Sequence, residues 1–322
     1  MSTDGLVGLN DVRAAAARME GRLVRTPLLA ASDLSERVGY EVRLKCESLQ
    51  QTGSFKARGA LNFVMQLPHA EVKKGVITYS SGNHGQAMAW AAKLAGVRAV
   101  VVMPTTAPGI KVEGCRRLGA EVVLEGTTST HRKVRAEAIV AAEGLAMVPP
   151  FDHPWIIAGQ GTMGLEIHED WSDVETVLAP IGGGGNFSGV CAALRRLNPG
   201  IKLVGVEPTG SAAMRAALDA DAVVTLPSTD TIADGLAPVR VGELTFGHVR
   251  DLADDVVTVD DAVIREAARF LLLRRKLVVE YSGAATVAAL LSGAVRSPGK
   301  TVAILSGGNV DPSIISELAL EA

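Results

Sequence analysis

Lys56 stands between Phe55 and Ala57 in the stretch TGSFKARGA, residues 52–60. A lysine amine acts as a base once burial keeps part of it neutral, and as a nucleophile toward an aldehyde. Four consecutive glycines, Gly182, Gly183, Gly184 and Gly185, followed by Asn186, suit a different task. Such a run is costly in backbone entropy. Between a strand and a helix N-terminus it forms a cup whose N–H groups and helix dipole favour a phosphate. Two more small-polar loops follow strand-like runs, SSGNHG at 80–85 and SGGN at 306–309. A small phosphorylated cofactor carrying an aldehyde would give the lysine and the glycine run one joint purpose.

Other phosphate readings fit less well. A dinucleotide fingerprint needs G-x-G-x-x-G, and here its third glycine falls on Phe187 or Ser188. Glu207, about 20 residues on at a strand end, keeps a nicotinamide oxidoreductase as a rival reading. The string AVRSPGKT at 294–301 resembles a P-loop, but a helix precedes it and a strand follows, the reverse of what a P-loop requires. The pairs Asp254-Asp255 and Asp260-Asp261 read as turn and helix N-cap residues.

The elements that must position these residues alternate along the chain. Strand-like runs fall at 75–80, 98–104, 121–124, 174–182, 201–208, 256–259 and 301–308. Helical patterns fall at 10–20, 86–96, 109–118, 130–143, 187–197 and 260–274, and one begins near Lys56 with Ser54 as its expected N-cap. The strands are continuous apolar runs, which indicates parallel sheets covered on both faces by helices. Ligands in such folds sit at the carboxyl ends of strands. The 322 residues are 48% hydrophobic and 21% charged, enough for two packed domains. A net charge of −3 gives no electrostatic reason to expect nucleic acid or an anionic membrane as partner. Cys46, Cys115 and Cys191 show no metal or disulfide spacing, and no signal core or membrane-length apolar window is present, so a soluble cytoplasmic protein is expected.

The motifs SFKARGA, SSGNHGQA, AGQGTMGLE, GGGG and SGGNVD, in this order, resemble those of the fold-type II pyridoxal-phosphate enzymes, most of all the serine/threonine dehydratases and serine racemase. The likeness spans about residues 10–315. It implies an α/β, tryptophan synthase β-like fold with parallel sheets flanked by helices. A large cofactor domain would comprise 1–74 and 149–322, and a small mobile substrate domain 75–148. The cofactor implied is pyridoxal 5'-phosphate, with Lys56 as the Schiff-base lysine and Phe55 beside the ring. Asn83 matches the group facing the cofactor's phenolic oxygen, Gly182 to Gly185 with Asn186 the phosphate cup, and Ser306 the hydroxyl facing the pyridine nitrogen. Ser80, Ser81, Gly82, Asn83 and His84 match the loop holding the substrate carboxylate, with Ser81 as the racemase's second base. Glu207 matches a cation ligand, and the cation is left open because position 213 is alanine. Tyr281 replaces a proline of the family pattern. His131 replaces the racemase arginine, and the neighbouring Arg132 and Arg135 are expected to face elsewhere. The implied activity is α,β-elimination of water from a β-hydroxy-α-amino acid, L-threonine or L-serine. The alternatives are an amino-acid racemase and a dehydratase of another 3-hydroxy amino acid such as 3-hydroxyaspartate. The implied assembly is a homodimer. No regulatory domain is expected after about residue 315.

Overall fold

In a computed structural model the described residues are 5–80, 82–107, 109–296 and 299–320. Among the described residues ten strands fall in two sheets. They are β1 Leu28–Ala30, β2 Val42–Cys46, β3 Val76–Tyr79, β4 Ala99–Met103, β5 Glu121–Leu124, β6 Ala146–Met147, β7 Thr176–Pro180, β8 Lys202–Pro208, β9 Asp255–Val259 and β10 Thr301–Leu305. The six-stranded sheet runs β1-β2-β10-β7-β8-β9, and the four-stranded sheet runs β5-β4-β3-β6. All pairings are parallel except β1 with β2, where Leu28 faces Lys45 in an antiparallel register. The expectation of parallel sheets is thus corrected at one edge, where the helix Ser32–Val38 joins β1 to an antiparallel neighbour, an arrangement that mixed sheets carry at their edges.

Side-chain alternation divides each strand between two cores. On β10, Ala303 and Leu305 join the core under the helix Tyr281–Leu291, while Val302 and Ile304 join the core under the helix Gly185–Leu197. In the smaller sheet Val76 and Val101 face one core, and Ile77, Val100 and Val102 face the other. Strands β3, β4, β7 and β10 are buried on both faces, which is why they read as unbroken apolar runs.

β1 and β2 escaped the sequence reading for a physical reason. β2 reads VRLKC, with charges at alternate positions, yet Lys45 is fully buried because its ammonium reaches the Thr26 carbonyl at 2.7 Å and Glu166 at 2.6 Å. The helix Pro154–Asp170, which carries the AGQGTMGLE motif, was also not foreseen as a helix. It packs so closely on the helix Lys56–Val64 that a Cβ on Gly159 would lie 2.7 Å from the Arg58 carbonyl oxygen. The expected cap is corrected too. Phe55 occupies the N-cap position of the Lys56–Val64 helix without a side-chain cap, and the Ser54 hydroxyl is buried with no hydrogen-bond partner. The pattern at 260–274 is α-helical over Asp261–Phe270 and widens into a π turn at Leu271–Arg275. Asp260 stands at the N-cap of that helix but makes no side-chain cap bond.

Candidate active site

β3, β7 and β10 end at one cavity of about 600 Å³. Ser80 follows β3, the glycine run follows β7, and Ser306 follows β10. The lysine segment is tied to the last of these: the Phe55 N–H donates to the Ser306 carbonyl at 3.1 Å, and Ser54 forms a bridge with Gly307. The cavity therefore gathers Phe55, Lys56, Ser80, Gly82, Asn83, His84, Gly182 to Gly185, Asn186 and Ser306 from four distant stretches. Ser81 lies outside the described residues.

Lys56 begins its helix, and its Nζ donates to the Pro150 carbonyl at 2.7 Å, lying 5.2 Å from the Phe55 ring centre. Burial with no ionised partner bonded to it lowers the ammonium pKa to about 8. Across the cavity Gly184 has φ +98°, and a Cβ there would lie 2.6 Å from Thr245. A Cβ on Gly183 would run into the Phe151 ring at 2.2 Å. The cup is fixed from behind, where Thr245 donates its hydroxyl to the Gly183 carbonyl at 2.7 Å. Asp152 caps the helix Glu243–Leu252 through the N–H groups of Glu243, Leu244 and Thr245. The helix Gly185–Leu197 opens onto the cavity, and the N–H groups of its first turn lack intrahelical partners. The Asn186 amide stands in that turn, buried, with neither its nitrogen nor its oxygen bonded.

Asn83 is held from two sides. Its Nδ2 donates to Glu280 at 2.5 Å, and its Oδ1 accepts from Asn309 at 2.9 Å. His84 is half satisfied. A carbonyl only accepts, so the 3.2 Å contact with the Val148 oxygen places the proton on Nε2 and leaves Nδ1 as a buried acceptor without a partner. Burial, helped by the charge of Lys56, lowers its pKa to about 3. The neutral ring cannot donate from Nδ1 to a carboxylate, so any carboxylate contact from this residue falls to its backbone N–H. The Ser306 hydroxyl is buried, with only a long 3.5 Å contact to the Ser282 carbonyl.

Glu207 does not line the cavity. Its two carboxylate oxygens accept from the N–H groups of Met214 and Arg215, both at 2.8 Å, at the start of the helix Ala213–Ala220. Burial raises its pKa to about 7, and these N–H groups act in the opposite direction. Among the described residues no three His, Cys, Asp or Glu side chains cluster as a metal site. Glu207 is therefore engaged in holding a helix, away from any nucleotide in the cavity. Arg132 corrects a further expectation: it lines the cavity instead of facing elsewhere, with its Nε buried and without a partner.

Sequence reasoning missed Lys111, Asp234 and Glu280 as cavity residues. Lys111 lies in an ordinary helical pattern and Asp234 opens a short 3₁₀ turn, Asp234–Leu236, so no motif marked either. Glu280 directly precedes Tyr281, and nothing in its own type or spacing marked it.

Comparison with known proteins agrees with this geometry. The chain is 44% identical over 300 residues to the L-threonine ammonia-lyase of Geobacter sulfurreducens, covering 93% of this chain and 75% of that protein. It is 42% identical to the catabolic L-threonine dehydratase TdcB of Escherichia coli, covering 97% and 96%. The structure of maize serine racemase superposes with a TM-score of 0.94 at 38% identity, covering 97% and 96%. Lys56, the glycine cup, Asn83, His84 and Ser306 lie within residues 20–307, the span that matches the pyridoxal-phosphate dependent enzyme model, and the chain belongs to that family.

Proposed function

We propose that this chain is an ammonia-lyase that converts L-threonine or L-serine to the corresponding 2-oxo acid and ammonia by α,β-elimination of water. The observation that carries the reading is a buried, carbonyl-held lysine amine in the same cavity as a glycine-lined helix N-terminus. The residues present fit pyridoxal phosphate. The cup is too tight for side chains at Gly183 and Gly184, and the unpartnered Asn186 amide and the first-turn N–H groups supply donors for a phosphate. Lys56 would hold the aldehyde carbon, Phe55 the ring, Asn83 the phenolic oxygen and Ser306 the pyridine nitrogen.

When bound, the cofactor supplies an electron sink for the bonding pair left at Cα. Lys56, with its pKa lowered to about 8 by burial and so partly neutral at that pH, takes the Cα proton at Nζ. Backbone N–H groups at the start of the helix Asn83–Ala95 orient the substrate carboxylate. Ser306 is a hydroxyl where a carboxylate would force protonation of the ring nitrogen, which favours prompt departure of the β-hydroxyl over repeated return of the Cα proton. The segment 75–148 acts as a mobile unit over the cavity. The chain works as a homodimer, a reading supported by exposed Leu49, Leu94 and Val278. A reducing cytoplasm suits its three free, buried cysteines.

The test is a panel of 3-hydroxy amino acids read by ammonia release, with borohydride trapping and peptide mapping. Release from L-threonine or L-serine and a modified Lys56 are expected; an unmodified Lys56 in the loaded protein would overturn the reading. A racemase reading draws on the likeness to maize serine racemase. D-serine recovered from L-serine faster than pyruvate appears would favour it.

A further inference from the structure

Lys111 lies on the helix Gly109–Arg117, in the layer of the smaller sheet, yet its charge is placed on the opposite wall of the cavity. Its Nζ is hydrogen-bonded to Asp234, 123 residues away, and lies 4.0 Å from Glu280. Its side chain is 7% exposed, so the ammonium has left bulk water for these partners. Burial alone would lower its pKa, but Asp234 and Glu280 outweigh that and hold it above the ordinary lysine value. The aliphatic part of the chain is equally specific. A Cβ on Gly82 would lie 2.6 Å from the Lys111 Cδ, so the lysine stem crosses directly over the loop that follows β3. Glu280 in turn accepts from Asn83, the first residue of the next helix, and its other oxygen is buried without a hydrogen bond. One side chain thus touches the loop at Gly82 and, through Glu280, the residue after it.

We propose that Lys111 is a positioning residue, a clamp that spans the cavity mouth and holds the loop of Ser80 and Gly82 to His84 against Asp234 and Glu280. The clamp rests on the reading of that loop as the substrate-carboxylate site. It acts on how well the loop is ordered before substrate arrives, and therefore on KM more than on cofactor retention. Asp234 is about half exposed, so salt reaches and weakens the pair. Glu280 is deeply buried and its pKa is raised to about 7 by that burial, with Lys111 acting in the opposite direction, so loss of the lysine favours its neutral form and removes its pull on the clamp.

The test compares the cofactor-loaded native protein with Lys111→Met, Lys111→Arg and Asp234→Asn. Hydrogen exchange of the 79–86 segment, measured without substrate, is expected to accelerate about tenfold in Lys111→Met and Asp234→Asn, with partial recovery in Lys111→Arg. KM for L-threonine is expected to rise about tenfold in the same two variants with kcat changed less, while the cofactor's dissociation constant, set mainly by Lys56 and the glycine cup, changes less than KM. The exchange readout needs no turnover, so it tests the clamp even if threonine proves not to be the substrate. Native exchange rates in both Lys111→Met and Asp234→Asn would overturn the proposal, as would a loss of kcat at constant KM. If Lys111→Met does not fold, Asp234→Asn and the salt dependence of KM carry the test. A KM indifferent to salt between 0.05 and about 0.5 M would then count against the clamp.

Discussion

Lys56 is buried against a carbonyl oxygen instead of a carboxylate, and this sets its chemistry. A carboxylate would have kept the amine protonated; the Pro150 carbonyl accepts a hydrogen bond without doing so. Once substrate has freed the amine, turnover limited by its neutral form is expected to rise with pH through about 8, and a kcat profile flat from pH 6 to 9 would contradict that. The same burial has a consequence for stability. The native pKa of about 8 lies below the ordinary 10.5, so between these values the unfolded chain binds more protons and stability rises with pH. Below pH 8 both states are protonated and the full penalty remains. Lys56→Met in the cofactor-free protein is therefore expected to be more stable at pH 7 by roughly 1–3 kcal/mol. That gap should close between pH 8 and 10.5 in urea melts. The residue types at this scale were legible in the sequence, because a lysine, a glycine run and hydroxyl loops have few other joint uses. The His84 tautomer was not, since only the position of the Val148 oxygen decides which nitrogen holds the proton.

The helix that begins at Lys56 is locked in place by ions. Arg58, two residues further along that helix and buried, donates to Glu47 at 2.7 and 2.8 Å and to Glu166 at 2.6 and 2.9 Å. Lys45 reaches Glu166 as well, at 2.6 Å. Burial opposes the guanidinium charge, but Glu47 and Glu166 outweigh it and raise its pKa. Glu166 is likewise opposed by burial, and Arg58 followed by Lys45 holds its pKa below the usual carboxylate range. Arg58→Met leaves Glu47 buried without its cation and is expected to destabilise by about 3–5 kcal/mol in denaturant melts. An effect below about 1 kcal/mol would mean that the network is not dry. The AGQGTMGLE stretch has its physical role here: it supplies Glu166 and the small residues that let two helices meet at backbone distance. Sequence showed the motif. Its helical conformation was hidden because glycines at 159, 161 and 164 weaken the helical signal, and tight packing on the Lys56–Val64 helix makes up for their poor propensity.

Two sheets meet at one cavity, so ligand binding is coupled to the stability of the whole molecule. Pyridoxal phosphate at 1,000 times its dissociation constant is expected to stabilise the fold by about 4 kcal/mol and raise Tm. Inorganic phosphate alone should reproduce part of that shift through the glycine cup; no response to phosphate in the cofactor-free protein would place the phosphate elsewhere. The sequence by itself determined the parallel α/β class, the strands buried on both faces and the stretches that carry chemistry, because apolar periodicity and residue type are local properties. The antiparallel edge β1-β2, the buried fate of Lys45, the withdrawal of Glu207 to cap a helix and the entry of Arg132 into the cavity were decided only by tertiary structure. Each depends on which partner waits across a long loop. A charged side chain reads as solvated until the fold brings its counter-ion within bonding distance, as Lys111 and Asp234 meet across 123 residues.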